Sequence, residues 1–376
     1  MEKRIRNLVV MVKPASGACN MRCEYCFYAD EQQNREQALH GMMSVETLHA
    51  LIDRVLEAGA RSCTLVFQGG EPTLVGLPFY RNLVAYVGQK TAGKRIRFQY
   101  SIQTNGYAMT EEWAAFLAEN QFLVGISLDG TKEIHDRFRK DSQGRGTWDR
   151  VMQAIGLLNQ YHVSYNILTV VTAANAKNAA KLYRFFEKQG LPYQQYIECL
   201  DPLGEIPGQK EYSLTPERYE YFLKSLFDVW YQDRKQGKYV YNRYFENLLL
   251  MLNGQEPESC NMRGVCSSQW VVEADGSVYP CDFYALDEWK LGMIATGGDS
   301  FAEMEQRRQE SGFLETSRQI PDACRTCRWF GLCRNGCRRC RVVDVSGNPG
   351  INYFCQAYKG FFEYAYPRLE QLASTR

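Results

Sequence analysis

Cys19-Asn20-Met21-Arg22-Cys23-Glu24-Tyr25-Cys26 is the stretch on which the reading of this chain turns. Its three cysteines, at C-x3-C-x2-C spacing, follow a short apolar run from Leu8 to Val12, which places them on a loop leaving a first strand. Three thiolates can hold a four-iron cluster while leaving one iron without a protein ligand, open to a substrate or cofactor. Structural zinc is the alternative. It wants four ligands, and no His or fourth Cys lies within reach in sequence.

The 376 residues suggest two or three domains, and 45% hydrophobic with 23% charged residues is ordinary for a soluble globular protein. With 44 Lys+Arg against 43 Asp+Glu, the net charge of +1 offers no global field for nucleic acid or an anionic membrane. Lys3, Arg4 and Arg6 precede an apolar run too short for a signal-peptide core, and no later run approaches a membrane span. A cytoplasmic protein is expected. The fourteen cysteines fall in tight clusters within a large chain, a pattern that favours reduced metal-binding thiolates over disulfides.

Beyond the loop the chain alternates. Val45, Leu48, Leu51, Ile52 and Val55 predict a helix over Ser44 to Ala58 with Ser44 as N-cap, and Cys63 to Phe67 reads as a strand. Helices over Pro78 to Gln89, Thr110 to Glu119, Trp148 to Tyr161 and Asn175 to Lys188 are expected to alternate with strands over Ile96 to Gln103, Phe122 to Leu128, Ser164 to Val171 and Tyr193 to Cys199. Six such pairs argue for a parallel sheet curled into a partial (β/α)6 TIM-like barrel, an α/β fold. Chemistry in barrels collects on loops after the strands. Gln68-Gly69-Gly70-Glu71, Thr104-Asn105-Gly106, Ser127-Leu128-Asp129-Gly130 and Leu200-Asp201-Pro202 all fall there, although each alone reads as turn chemistry. From Thr215-Pro216 a long amphipathic helix to about Arg234 is expected to cover the barrel, so residues 1–235 form one domain and 236–376 a second, cysteine-rich one.

The triad with Tyr25 before its last cysteine resembles the signature of the radical S-adenosylmethionine (SAM) enzymes, and Cys19 to Tyr28 is similar to their anaerobic sulfatase-maturating branch. The later pattern, Cys266, Gly276 and Cys281 followed by Cys324-x2-Cys327-x5-Cys333-x3-Cys337 and Cys355, resembles the SPASM domain of peptide-modifying radical SAM enzymes. The resemblance implies three [4Fe-4S] clusters: one on Cys19, Cys23 and Cys26, one auxiliary cluster on Cys260, Cys266, Cys281 and Cys337, and another on Cys324, Cys327, Cys333 and Cys355. Cys63, Cys199 and Cys340 are left over. For SAM, it implies the backbones of Tyr25 and Leu200 at the adenine, Ser127 at the ribose, the Gly70-Glu71 segment at the amino group and Arg139 at the carboxylate.

By the same resemblance, Asp282 in the Cys281-Asp282 step is the general base, and Tyr28 and Gln68 line the substrate cavity. A lone Asp is more often a turn carboxylate, but one among aromatics can have a raised pKa. The implied reaction oxidises a Cys or Ser in a sulfatase motif (Cys/Ser-x-Pro-x-Arg) to Cα-formylglycine, with a low-potential donor such as flavodoxin or ferredoxin. Thioether or cross-link formation on a ribosomal peptide is the enzymatic alternative, and a zinc or nucleic-acid module the non-enzymatic one. Arg325, Arg328, Arg334, Arg338, Arg339 and Arg341 are expected to tune a cluster rather than bind RNA.

Overall fold

The computed structural model describes residues 7–343 and 349–374, so Lys3, Arg4 and Arg6 lie outside the described residues. The strands that position the site are β1 (Asn7–Val12), β2 (Ser62–Phe67), β3 (Arg97–Thr104), β4 (Leu123–Ser127), β5 (Tyr165–Val171), β6 (Tyr193–Glu198), β7 (Tyr241–Asn242), β8 (Trp270–Val272), β9 (Ser277–Tyr279) and β10 (Gly292–Met293). They divide between two compact units. One gathers the chain up to Ser127 with Arg139–Tyr165 and Ser268–Gly312; the other gathers Leu128–Phe138, Asn166–Ser267 and the chain from Phe313. Compactness therefore does not follow a single cut near residue 235, because β8, β9 and β10 pack in the first unit.

In the first unit, β1 to β4 pair in parallel in chain order. Parallel neighbours need a crossover, supplied here by the helices Val45–Glu57, Leu77–Thr91 and Glu111–Glu119. The first of these forms as its spacing predicts: Ser44 Oγ accepts from the Thr47 N–H at 3.1 Å, and Leu48, Leu51, Ile52 and Val55 are buried. Along β2, Cys63, Leu65 and Phe67 are buried alternately, the period of a pleated strand. On its other edge β1 pairs in parallel with β8, matching Val10 to Trp270 and Val12 to Val272, and β9 and β10 continue antiparallel. That pairing brings residues from late in the sequence beside Lys13, just past the end of β1.

In the second unit β5, β6 and β7 are parallel, with the helices Ala179–Lys188, Pro216–Lys235 and Arg243–Leu252 and a C-terminal helix, Cys355–Ala373. Phe227 anchors an aromatic core, its ring 5.3 Å from Phe245 and 5.8 Å from Phe361. The helix expected over Asn175 to Lys188 is broken into Ala173–Ala176 and Ala179–Lys188. Asn175 sits inside the first of these: its side chain accepts from the Thr172 N–H and donates to the Val170 carbonyl, closing a capping box that starts the short helix two residues before the expected one. The break itself falls at Lys177 and Asn178.

Candidate active site

The cysteine loop is clamped from two sides within the first unit. Arg22 N–H donates to the Lys140 carbonyl at 2.7 Å, and Met21 bridges Asp141. From β2, Glu71 N–H donates to the Ala18 carbonyl at 2.8 Å. This approach requires Gly70, at φ +51: a Cβ there would lie 2.2 Å from the Ala18 oxygen. The Glu71 carboxylate is fully buried and knits the loops together. Its Oε1 accepts from Thr73 N–H, Thr73 Oγ1 and Thr104 Oγ1, and its Oε2 accepts from Asn105 N–H at 2.8 Å.

The thiols have an environment suited to a cationic metal cluster. None of the fourteen cysteines is joined in a disulfide. Burial and then the Glu71 charge push the Cys19 thiol up to about 12, so its thiolate needs positive charge beside it, which bound iron supplies. Donors already face the sulfurs: Met21 N–H at 3.3 Å and Asn105 Nδ2 at 3.6 Å from Cys19 Sγ, and Arg139 Nη1 at 3.9 Å from Cys23 Sγ. Arg139 is buried, not a surface cation, and its guanidinium lies 5.4 Å from the Tyr25 ring centroid. Ser127 ends β4 in the same unit, whereas Leu200 follows β6 in the other.

Deeper in the first unit, Tyr28, Gln68 and Asp282 meet. Tyr28 OH donates to Asp282 Oδ2 at 2.7 Å, and Gln68 Nε2 reaches both the Tyr28 hydroxyl at 2.7 Å and Asp282 Oδ2 at 2.9 Å. Asp282 Oδ1 and Gln68 Oε1 are buried and have no hydrogen-bond partner among the described residues. Lys13 Nζ stands 3.9 Å from that free Oδ1 and is itself fully buried between Glu31, at 2.7 Å, and Glu273, at 3.0 Å. Arg35 pairs with the same two glutamates at 2.9 and 2.7 Å. Three carboxylates thus share two cations. Burial raises Asp282 against the pull of Lys13, and burial likewise raises Glu31 to about 7. Burial also acts on Glu273, but Lys13 and Arg35 outweigh it and hold that carboxyl near 2.

In the second unit, Cys324, Cys327, Cys333 and Cys355 all line one pocket, together with Trp329, Tyr358 and Phe362. One auxiliary set is therefore gathered in space. Cys266 lies close enough to Cys337 and Cys260 for their charges to act on it, and burial first, then Cys337, pushes it up to about 11. Cys281 belongs to the first unit, directly before Asp282. Among the described residues no three His, Cys, Asp or Glu side chains converge as they would on a single ion. A four-iron cluster binds each thiolate to a different iron, so its ligands stand apart. Cys63 and Cys199 are buried like small hydrophobes.

Sequence reasoning missed Lys13, Glu31, Arg35 and Glu273. Lys13-Pro14 after a strand and Glu31 and Arg35 at i,i+4 spacing are visible signals, but nothing local says that they face Asp282. In the arginine run, the charges of Arg338, Arg339 and Arg341 act on the Cys266, Cys340 and Cys337 thiols, and the same side chains hold backbone. Arg341 is buried and donates to the carbonyls of Ser317, Gly264 and Gly336, Arg338 to that of Phe313 and Arg339 to that of Asp201, so these cations staple loop backbone.

Residues 14–186 match the radical SAM superfamily, and residues 260–328 match the SPASM iron-sulfur cluster-binding domain. A cysteine-type anaerobic sulfatase-maturating enzyme of Clostridium novyi is 45% identical, over 99% of this chain and 98% of its own length. A serine-type anaerobic sulfatase-maturating enzyme of Bacteroides thetaiotaomicron is 31% identical, over 96% and 90%. The solved structure of native anSMEcpe with bound AdoMet and Cp18Cys peptide superposes with a TM-score of 0.93 at 44% identity, covering 98% of this chain and 99% of that one. These likenesses establish the expected fold class, a partial (β/α)6 TIM-like barrel with a C-terminal SPASM domain.

Proposed function

Because this chain belongs to the anaerobic sulfatase-maturating enzymes of the radical SAM superfamily, we propose that it oxidises a cysteine side chain in a sulfatase polypeptide to Cα-formylglycine. The observation that carries this reading is the buried Asp282 carboxylate, with Oδ2 held by Tyr28 and Gln68 and Oδ1 left without a donor. Cysteine is favoured over serine because the cysteine-type relative is more similar than the serine-type one.

We assign Cys19, Cys23 and Cys26 to the SAM cluster, Cys260, Cys266, Cys281 and Cys337 to one auxiliary cluster, and Cys324, Cys327, Cys333 and Cys355 to the other. Tyr25, the Gly70-Glu71 segment, Ser127, Arg139 and Leu200 are assigned to SAM. When bound, SAM and the clusters supply the acceptor for a hydrogen atom from the substrate Cβ and the acceptor for one further electron. The chain's own part is proton handling and orientation. Tyr28 and Gln68 fix the Asp282 carboxylate, and its free Oδ1 takes the thiol proton. Loss of that proton, one hydrogen atom and one electron turns the CH₂–SH group into a thioaldehyde, which water hydrolyses to the aldehyde with release of hydrogen sulfide. Lys13 stays protonated beside Oδ1, because Glu273, Glu31 and Asp282 overcome the effect of its burial.

The catalytic module is assigned to residues 1–235 and the auxiliary-cluster module to 236–376. A flavodoxin or ferredoxin is the proposed donor, and the cytoplasm the proposed compartment. No helix among the described residues is long and apolar enough to cross a membrane. The test is anaerobic turnover with SAM, a reductant and paired Cys-x-Pro-x-Arg and Ser-x-Pro-x-Arg peptides, read by mass spectrometry. Formylglycine from the cysteine peptide with matching 5′-deoxyadenosine supports the reading. Deoxyadenosine with both peptides unchanged overturns the substrate assignment.

A further inference from the structure

A second buried carboxylate has no part in the chemistry at Asp282. Glu198, the last residue of β6, is buried in the second unit, and its Oε1 accepts from Tyr219 OH at 2.9 Å and Tyr358 OH at 2.8 Å. Tyr219 comes from the helix Pro216–Lys235 and Tyr358 from the C-terminal helix, so three elements converge on this one oxygen. Both phenols are pushed well above their usual range, by burial first and then by the Glu198 charge, and they remain donors. Two hydroxyls stabilise the charge, and among the described residues no cation forms an ion pair with it. A buried carboxylate held by hydroxyls and no cation is costlier to a fold than a paired one, which points to a use for it.

The position supplies one. Tyr358 lines the pocket of Cys324, Cys327, Cys333 and Cys355, and it also lines a neighbouring pocket with Cys333 and Tyr244. The Glu198 charge also reaches the Cys337 thiol, which is assigned to the other auxiliary set, and Cys340, so the link from Glu198 to the Cys324, Cys327, Cys333 and Cys355 pocket runs through the Tyr358 hydrogen bond. Adding an electron to a cluster near a fixed negative charge is disfavoured, and hydrogen bonds and charges around the sulfurs are the protein's means of setting a potential.

We propose that Glu198, held by Tyr219 and Tyr358, lowers the reduction potential of the auxiliary iron-sulfur site formed by Cys324, Cys327, Cys333 and Cys355. Glu198 is a positioning residue: it touches neither substrate nor reacting atoms, and it biases the site toward releasing the electron it receives. This inference rests on the ligand assignment made above.

The experiment is an anaerobic redox titration of the reconstituted full chain followed by electron paramagnetic resonance, with iron and sulfide analysis of each variant. Glu198→Gln keeps wild-type iron and raises the potential, moving the oxidised-to-reduced ratio at fixed potential by roughly tenfold, about 59 mV for one electron. Glu198→Asp returns it toward wild type. Tyr358→Phe removes a donor that partly neutralises the carboxylate and shifts the potential the other way. An unchanged potential in Glu198→Gln with full iron overturns the proposal. If that variant loses iron, Tyr358→Phe decides, and an unchanged or raised potential there overturns it. The ligand assignment fails separately, if a Cys327→Ala/Cys355→Ala double variant keeps its full iron content.

Discussion

Asp282→Asn separates chemistry from architecture. Asn has the same shape, and its carbonyl oxygen can still accept from both Tyr28 OH and Gln68 Nε2, which meet Oδ2 at 2.7 and 2.9 Å. Its amide cannot take a proton. Loss of a positioned general base lowers the rate by roughly 10²–10⁴-fold. At about 1.36 kcal/mol per factor of ten, that is about 2.7–5.4 kcal/mol of transition-state stabilisation. The fold does not lose in the same way. Lys13 and Arg35 face three carboxylates, and removing the Asp282 charge leaves two against two. Burial raises Asp282 above its ordinary 3.8, so its ionised form weakens the fold at any pH above that value. The variant is expected to keep its clusters, its SAM cleavage and a Tm no lower than wild type, while formylglycine falls by at least a hundredfold in single-turnover mass spectrometry. Undiminished formylglycine would refute the base role. A lowered Tm with loss of iron would refute the charge argument, by making Asp282 an anchor.

Gly70→Ala puts a methyl against the Ala18 carbonyl at a φ of +51, so the cysteine loop must move. We expect weaker SAM binding and lower iron retention, read by equilibrium dialysis and iron analysis, with strain of about 1–3 kcal/mol. Glu31 and Glu273 have opposite pH signatures. Glu31, raised by burial from 4.5 to about 7, binds a proton in the fold that the unfolded chain lacks between those values, so its contribution falls as pH rises through that window, and Glu31→Gln flattens it. Glu273, held near 2 by Lys13 and Arg35 despite its burial, contributes fully above 4.5 and loses that contribution as pH falls toward 2. Anaerobic denaturant titrations across pH check both, and Glu273→Gln is expected to cost about 3–5 kcal/mol at neutral pH. Cys340→Ala keeps full iron, whereas Cys337→Ala loses one cluster's worth; the reverse result in iron and sulfide analysis would exchange their roles.

Much of the first unit was legible because its signals are local. The helix Val45–Glu57 carries its own N-cap and apolar stripe, and β2 carries its own alternation. Where a local signal competed, the bounds moved: Asn175 is helical as expected, but its side chain caps a short separate helix that begins at Ala173. The helix Cys355–Ala373 was not anticipated as an element, although Tyr358 in it reaches Glu198.

The sequence alone determined the donor chemistry, because cysteine spacing fixes which thiolates a short loop can present together, and it determined the alternation that builds a parallel sheet. Only the tertiary structure decided what surrounds Asp282. Lys13, Glu31 and Arg35 come from the start of the chain and Glu273 from after β8, and they meet because β1 pairs in parallel with β8. Pairing between strands so distant in sequence depends on the buried side chains Leu8, Val10 and Val12 of β1 and Trp270, Val271 and Val272 of β8. The balance of three carboxylates and two cations follows from that pairing, and no local pattern encodes it.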